Sequence, residues 1–246
     1  MITILHTELI KLRRTMIPWM IAGVIIIPIV FNVIYVMLSD NTGNTTFNWS
    51  TAFVFVNFLL TILIAPIFYG SIASYIFSRE NREGTVEVHF TYPYKRTSLF
   101  IGKMILIFLF IIISCFIIFG MNLIICLLFA DVPPPSLFLK NEVFNTINIA
   151  VTQCVLICIT ILASIAFRNM IAGILTAVIG CSTAIAMLFL SLGDWQLLNP
   201  YFFSVTLADI SNYEPIYIYS GIGVMFAMGA FAFLCALYLY KNNDII

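Results

Sequence analysis

Hydrophobic and polar positions along this chain do not alternate; they fall in long blocks. Stretches free of Asp, Glu, Lys and Arg cover residues 15–39, 41–78, 104–130, 143–167, 169–193 and 215–240. Each exceeds the roughly 20 residues an α-helix needs to cross a ~30 Å hydrocarbon core at ~1.5 Å per residue. A charge at the bilayer centre costs about 2.5–3.5 kcal/mol on the insertion scale, so the charge-free blocks mark where helices sit. The pattern predicts six transmembrane helices with cores near residues 16–38, 51–77, 99–129, 144–167, 170–192 and 216–240. An open sheet would leave backbone groups unsatisfied in lipid, and the short alternating segments of a membrane barrel are missing. The expected fold is therefore an all-α membrane protein, with residues 1–246 forming one transmembrane domain.

Composition agrees and adds direction. Hydrophobic residues make up 62% and charged residues 9%, against about a quarter charged in a soluble domain. The 11 basic and 11 acidic residues cancel, and no stretch is basic enough to follow a phosphate backbone, so nucleic acid is not an expected partner. With both termini inside, the inner face holds Lys11, Arg13, Arg14, Arg79, Arg82, Lys95, Arg96, Lys103, Arg168 and Lys241, leaving only Lys140 outside. The positive-inside rule selects that orientation. The outer links then carry Asp40, Asp131, Glu142, Asp194, Asp209 and Glu214, which either attract cationic ligands or remain after the bases went inside. All six cysteines fall within predicted spans, so no disulfide framework is expected. Cys154 and Cys158, one turn apart, read as small packing residues ahead of a metal or redox pair.

Ahead of the first span, Ile2, Leu5, Leu9, Leu12 and Met16 recur on one helical face, with Thr7, Glu8, Lys11 and Arg14 on the others. Residues 1–15 are expected to form an interfacial helix in the inner headgroup layer that turns into the membrane near Pro18 and Trp19. A plain positive anchor that sets topology fits the same pattern. Glu8 interrupts what would be the basic start of a cleaved signal peptide, and no small-residue cleavage site follows.

The one sizeable inner segment runs FSRENREGTVEVHFTYPYKRTSLFIGK from Phe77 to Lys103. Its charged start extends the second span, Gly84 terminates it, Thr85 can cap a new turn near Val88, and Pro93 stops that turn. What lies between is a short helix, or alternatively a strand, with Val86, Val88, Phe90 and Tyr92 beside Glu87 and His89. A stub this apolar between charged arms calls for burial, either against the chain's own helices and headgroups or against another protein.

The series Glu83-Gly84-Thr85, Glu87, Tyr92-Pro93, Arg96-Thr97 and Gly102-Lys103 resembles the intracellular loop of ABC-2 type transporter permeases. Glu8, Lys11, Arg13 and Arg14 resemble the elbow helix that precedes the first span of that family. The closest-looking branch is the bacterial bacitracin and lantibiotic efflux and immunity permeases, although His89 and Phe90 stand where aliphatic residues are commoner. The resemblance implies a type V exporter-like fold, with an elbow helix and a re-entrant outer segment over residues 194–214. It also implies a coupling helix carried by Glu83, Gly84, Thr85, Val86, Glu87, Val88, Phe90 and Pro93 and seated in a separate ATP-binding subunit. A second permease chain, identical or homologous, would share the translocation path, lipid would surround it, and an amphipathic peptide would be the substrate. No cofactor is expected on this chain, because ATP and Mg would be bound by the partner subunit. Consistently, Gly102-Lys103 lacks the upstream glycine of a phosphate-binding loop.

Two further regions draw attention. From Asp194 to Glu214 the chain reads DWQLLNPYFFSVTLADISNYE, where Asn199-Pro200 can start a helix with Asn as cap, and where ordinary interfacial aromatics are the alternative. Within the spans no ionisable side chain is expected at depth, which argues against proton coupling or a charged filter. The polar exceptions are Asn32, Asn57, Asn122 and Gln153, read either as interhelical hydrogen bonds or, for Asn57, Asn32 and Asn122, as path-lining groups. An intramembrane enzyme would need a nucleophile with a base, or a metal set, at depth, yet His6 and His89 both lie on the inner side. The remaining alternatives are a permease for a lipid or other small molecule and a non-transporting sensor or assembly subunit.

Overall fold

A computed structural model describes residues 12, 15–41, 49–82, 96–129, 133–190, 193–206 and 215–242. Every regular element among the described residues is helical. In chain order these are α1 (Ile17–Asn41), α2 (Trp49–Leu59), a π-helical turn (Leu60–Ile64), α3 (Ala65–Arg82), α4 (Arg96–Phe129), α5 (Ser136–Ala166), α6 (Met170–Leu190), a 3-10 turn (Gly193–Leu198), α7 (Pro200–Thr206) and α8 (Pro215–Asn242). Six stretches are long and apolar enough to cross a membrane: Ile17–Leu38, Trp49–Arg79, Arg96–Phe129, Ser136–Ala166, Met170–Leu190 and Pro215–Asn242. The six expected spans are therefore present, the second being one rod made of α2, the π turn and α3.

Local chemistry explains where the elements begin and bend. Pro18 sits in the first turn of α1, where its missing N–H costs nothing, and Thr15 Oγ1 accepts from the Ile17 N–H at 3.4 Å. Asn169 Oδ1 caps α6 by accepting from the Ile171 N–H at 3.0 Å. The π turn precedes Pro66, a residue that has no N–H to donate and whose ring would clash with the carbonyl four residues earlier. Widening the turn, with the Ala65 N–H bonded to the Leu60 carbonyl, accommodates it.

One boundary differs from the sequence expectation. α5 starts at Ser136, directly after Pro135, about two turns before the expected residue 144. Lys140 and Glu142, expected in the outer link, lie on this helix instead. The charge-free block marked only the part of the helix without ionisable side chains; hydrogen bonding carried it further.

α5 is the central helix, packed along α3, α4, α6 and α8. Its most apolar stretch is 67% buried, against 22% for α1 and for α8. Thr146, Thr152, Gln153, Thr160 and Ser164 face inward on α5, while Ile112, Ile113, Phe116 and Ile117 of α4 are exposed. Apolar side chains outward and small polar ones inward is the arrangement lipid favours, because helix association there rests on close packing and interhelical hydrogen bonds.

Candidate functional site

The coupling residues Glu83, Gly84, Thr85, Val86, Glu87, Val88, Phe90 and Pro93 lie outside the described residues, as do Glu8, Lys11, Arg13 and Arg14. The helices that flank the 83–95 segment are described, and they converge. Phe77 near the end of α3, Phe100 in the first turns of α4 and Tyr240 in the last turn of α8 form a ring cluster, with centroids 5.3 Å (Phe77–Phe100), 5.5 Å (Phe100–Tyr240) and 6.1 Å (Phe77–Tyr240) apart. Phe233 extends it, 5.6 Å from Phe100. Lys103 is buried between them, its Nζ 5.5 Å from the Phe77 centroid and 5.6 Å from that of Tyr240. Ring faces carry negative potential, so they attract the ammonium while its stem fills apolar space. Arg96 Nη1 also donates to the Lys241 carbonyl at 3.0 Å, satisfying one of the free carbonyls at the end of α8. The sequence counted Lys103 among the basic residues of the inner face and in the Gly102-Lys103 pair, and gave no sign that its side chain would be buried. The two rings come from two other helices, α3 and α8, and no local pattern announces them.

Further along the bundle, three of the four amides expected in the span interiors come together. Asn32 of α1 donates through Nδ2 to Asn122 Oδ1 of α4, and Cys126 Sγ lies 3.8 Å from that same oxygen. Asn57 of α2 and Asn122 line one narrow cleft with Phe53, Leu60, Cys115 and Thr146. Asn57 Nδ2 donates to Glu142 Oε2 at 3.3 Å, and Asn145 Nδ2 to Glu142 Oε1 at 3.4 Å. Glu142, expected in an outer link, is buried on α5. Its carboxyl is tolerated there because side-chain amides from α2 and α5 hydrogen-bond both of its oxygens. The cluster offers donors and acceptors in an apolar wall. Among the described residues, no group of three His, Cys, Asp or Glu stands ready to hold a metal.

At the end opposite the 83–95 segment, the 3-10 turn and α7 fold back into the bundle. Asn199 Oδ1 caps α7, accepting from the Tyr201 N–H at 3.0 Å and the Phe202 N–H at 3.4 Å, with Pro200 at the first helical position, as the sequence pattern predicts. Leu197, Phe202 and Phe203 are buried against Ile62, Leu156, Ala184 and Met225. Two glycines make the seat. A Cβ on Gly180 of α6 would fall 2.3 Å from Tyr201 Cζ. One on Gly221 of α8 would meet the Phe203 ring at 2.7 Å and the Leu197 carbonyl at 2.8 Å. Asn199 Nδ2 adds a bond to Thr183 Oγ1 at 3.2 Å.

Six apolar spans with small polar side chains turned inward, and a short helix packed against them, define a helical multi-pass membrane protein. Comparison with protein families makes the assignment finer. A family described as "ABC-2 family transporter protein" matches residues 4–183, from ahead of α1 into α6, and this chain belongs to that family. No curated protein matches the chain. It is thus a membrane permease component, and membership implies an ABC ATPase subunit as its partner.

Proposed function

We propose that this chain is the permease subunit of an ATP-driven exporter that moves a hydrophobic or amphipathic substrate, a peptide antibiotic or toxin, out of the cell or membrane. The observation that carries the reading is the junction at the 83–95 end. α3, α4 and α8 are tied there by Phe77, Phe100, Lys103 and Tyr240, on both sides of the segment whose sequence resembles a coupling helix. A push on that segment would be shared by three spans instead of bending one arm. In this reading both termini and the 83–95 segment are cytoplasmic in a bacterial plasma membrane, residues 1–15 form the elbow, and residues 194–214 are a re-entrant outer closure. Two permease chains rock against each other when the ATPase subunits close. Asn32, Asn57 and Asn122 contribute polar positions along the path, and the apolar surroundings favour amphipathic cargo over ions.

Purification of the protein from its native membrane, wild type beside a Glu83→Lys, Gly84→Pro double variant, tests this. An ATPase subunit is expected to accompany the wild type and to be lost from the variant, and amphipathic peptides are expected to stimulate the complex. Absence of any ATPase under gentle solubilisation would move the assignment to a sensor or assembly subunit.

A further inference from the structure

α5 and α6 are joined by Phe167, Arg168 and Asn169 alone. The end of α5 is closed by two bonds, the Asn169 N–H donating to the Ser164 carbonyl at 3.2 Å and the Arg168 N–H to the Ile165 carbonyl at 3.3 Å. That pairing turns the chain through one left-handed residue, a place glycine fills best because a Cβ there crowds the following carbonyl. Arg168 occupies it with φ 52°, and among the described residues no other non-glycine residue has a positive φ. Asn169 then starts α6 at once, its Oδ1 accepting from the Ile171 N–H. The backbone of this turn has no use for an arginine, so the side chain must offset the strain by what it reaches.

Nothing in the described bundle offsets it. Arg168 is exposed, and among the described residues its guanidinium has no hydrogen-bond or ion-pair partner. Beside it, Phe167 is 73% exposed. The 21 residues of α6 cover about 31 Å at ~1.5 Å each, close to the ~30 Å of a hydrocarbon core. The first residue of α6 is thus at one edge of the core, and the turn stands among the headgroups of the leaflet on the side of residues 83–95. There the strong acceptor is the lipid phosphate, which the planar guanidinium matches with two parallel N–H donors, and the acyl boundary takes an exposed ring. A turn this short barely rises above the span ends, which favours lipid over a protein approaching from water. We propose that Arg168 and Phe167 form a binding site for an anionic phospholipid, with the guanidinium on its phosphate and the ring against the upper part of its chains. A lipid of net negative charge fits better than a zwitterionic one, because its headgroup brings no ammonium to compete for the phosphate. The inference rests on the membrane placement of α5 and α6 and not on the export reading.

Melting temperatures of the full chain test it in detergent without phospholipid, in phosphatidylcholine bilayer discs, and in discs that also contain phosphatidylglycerol. In detergent, Arg168→Gly relieves the left-handed strain and loses no partner, so it is expected to melt up to about 4 °C above wild type. In discs, phosphatidylglycerol is expected to raise wild type by about 2–4 °C. Arg168→Gly should lose at least half of that gain, and Arg168→Lys, which keeps the charge without the planar fork, should fall between them. A gain as large in Arg168→Gly as in wild type overturns the site, as does a wild type indifferent to phosphatidylglycerol. A glycine variant that melts below wild type in detergent would place the guanidinium's partner within this chain and overturn it too. An unchanged lipid response together with loss of a co-purifying ATPase subunit would assign the turn to a protein partner instead.

Discussion

At the end that carries residues 83–95, three helices meet through Phe77, Phe100, Phe233 and Tyr240 around the buried Lys103. At the opposite end α7 rests on Gly180 and Gly221 and is held by Asn199 to Thr183 and to its own backbone. The first junction is made of large faces whose separation exposes much area at once, so the helices that share it move together. The second is made of shape: a seven-residue helix too short to be stable alone, kept in place by bare backbone beneath it and a few polar bonds. The lesson is a mechanical division. One end is suited to transmit displacement between spans, and the other to hold a small element that can be released at modest cost.

Breaking the first junction is expected to have the largest effect. Phe100→Ala empties a fully buried ring site and is expected to cost about 3–5 kcal/mol, seen as a large drop in melting temperature in detergent. A loss no greater than that of an exposed ring such as Phe231→Ala would show that the cluster does not hold the helices together. Next comes the glycine seat. Gly221→Ala drives a methyl against the Leu197 carbonyl and the Phe203 ring and should cost about 1–3 kcal/mol. Partial rescue by Phe203→Leu would localise the clash to α7.

Lys103→Met retains most of the stem but removes the charge over two rings, a change worth about 0.5–2 kcal/mol. Lys103→Arg should keep most of that. In the assembled complex, Lys103→Met is expected to retain the ATPase subunit while losing peptide stimulation. Unaltered stimulation would remove the lysine from force transmission. Asn199→Ala deletes the α7 cap for about 1 kcal/mol and, if α7 is the releasable element, should speed cysteine labelling at the buried Cys181 of α6. Smallest of all, Gly223→Ala on the open face of α8, where a Cβ meets nothing within 4 Å, should be neutral or stabilise by up to about 1 kcal/mol. A clear loss there would mean that the exposed face of α8 is covered in the membrane.

The amino-acid sequence by itself determined the number of spans, the all-helical class and the α7 cap. Each rests on local rules: a run too long and apolar for water, a backbone that must satisfy itself in lipid, and an Asn-Pro pair whose geometry starts a helix. It also picked out Asn32, Asn57 and Asn122, because a polar side chain in an apolar run is conspicuous on the page. That Asn32 would bond Asn122, that Asn57 would bond Glu142, and that Lys103 would lie between rings of α3 and α8 were decided only by tertiary structure. These partners stand far apart in the chain and come from different helices, and the rotation of one helix against another is set by packing that periodicity does not encode. The early start of α5 has the same origin. Charge marks where a helix is costly to bury, but Glu142 is buried because the Asn57 amide of α2 joins that of Asn145 on its own helix in receiving it.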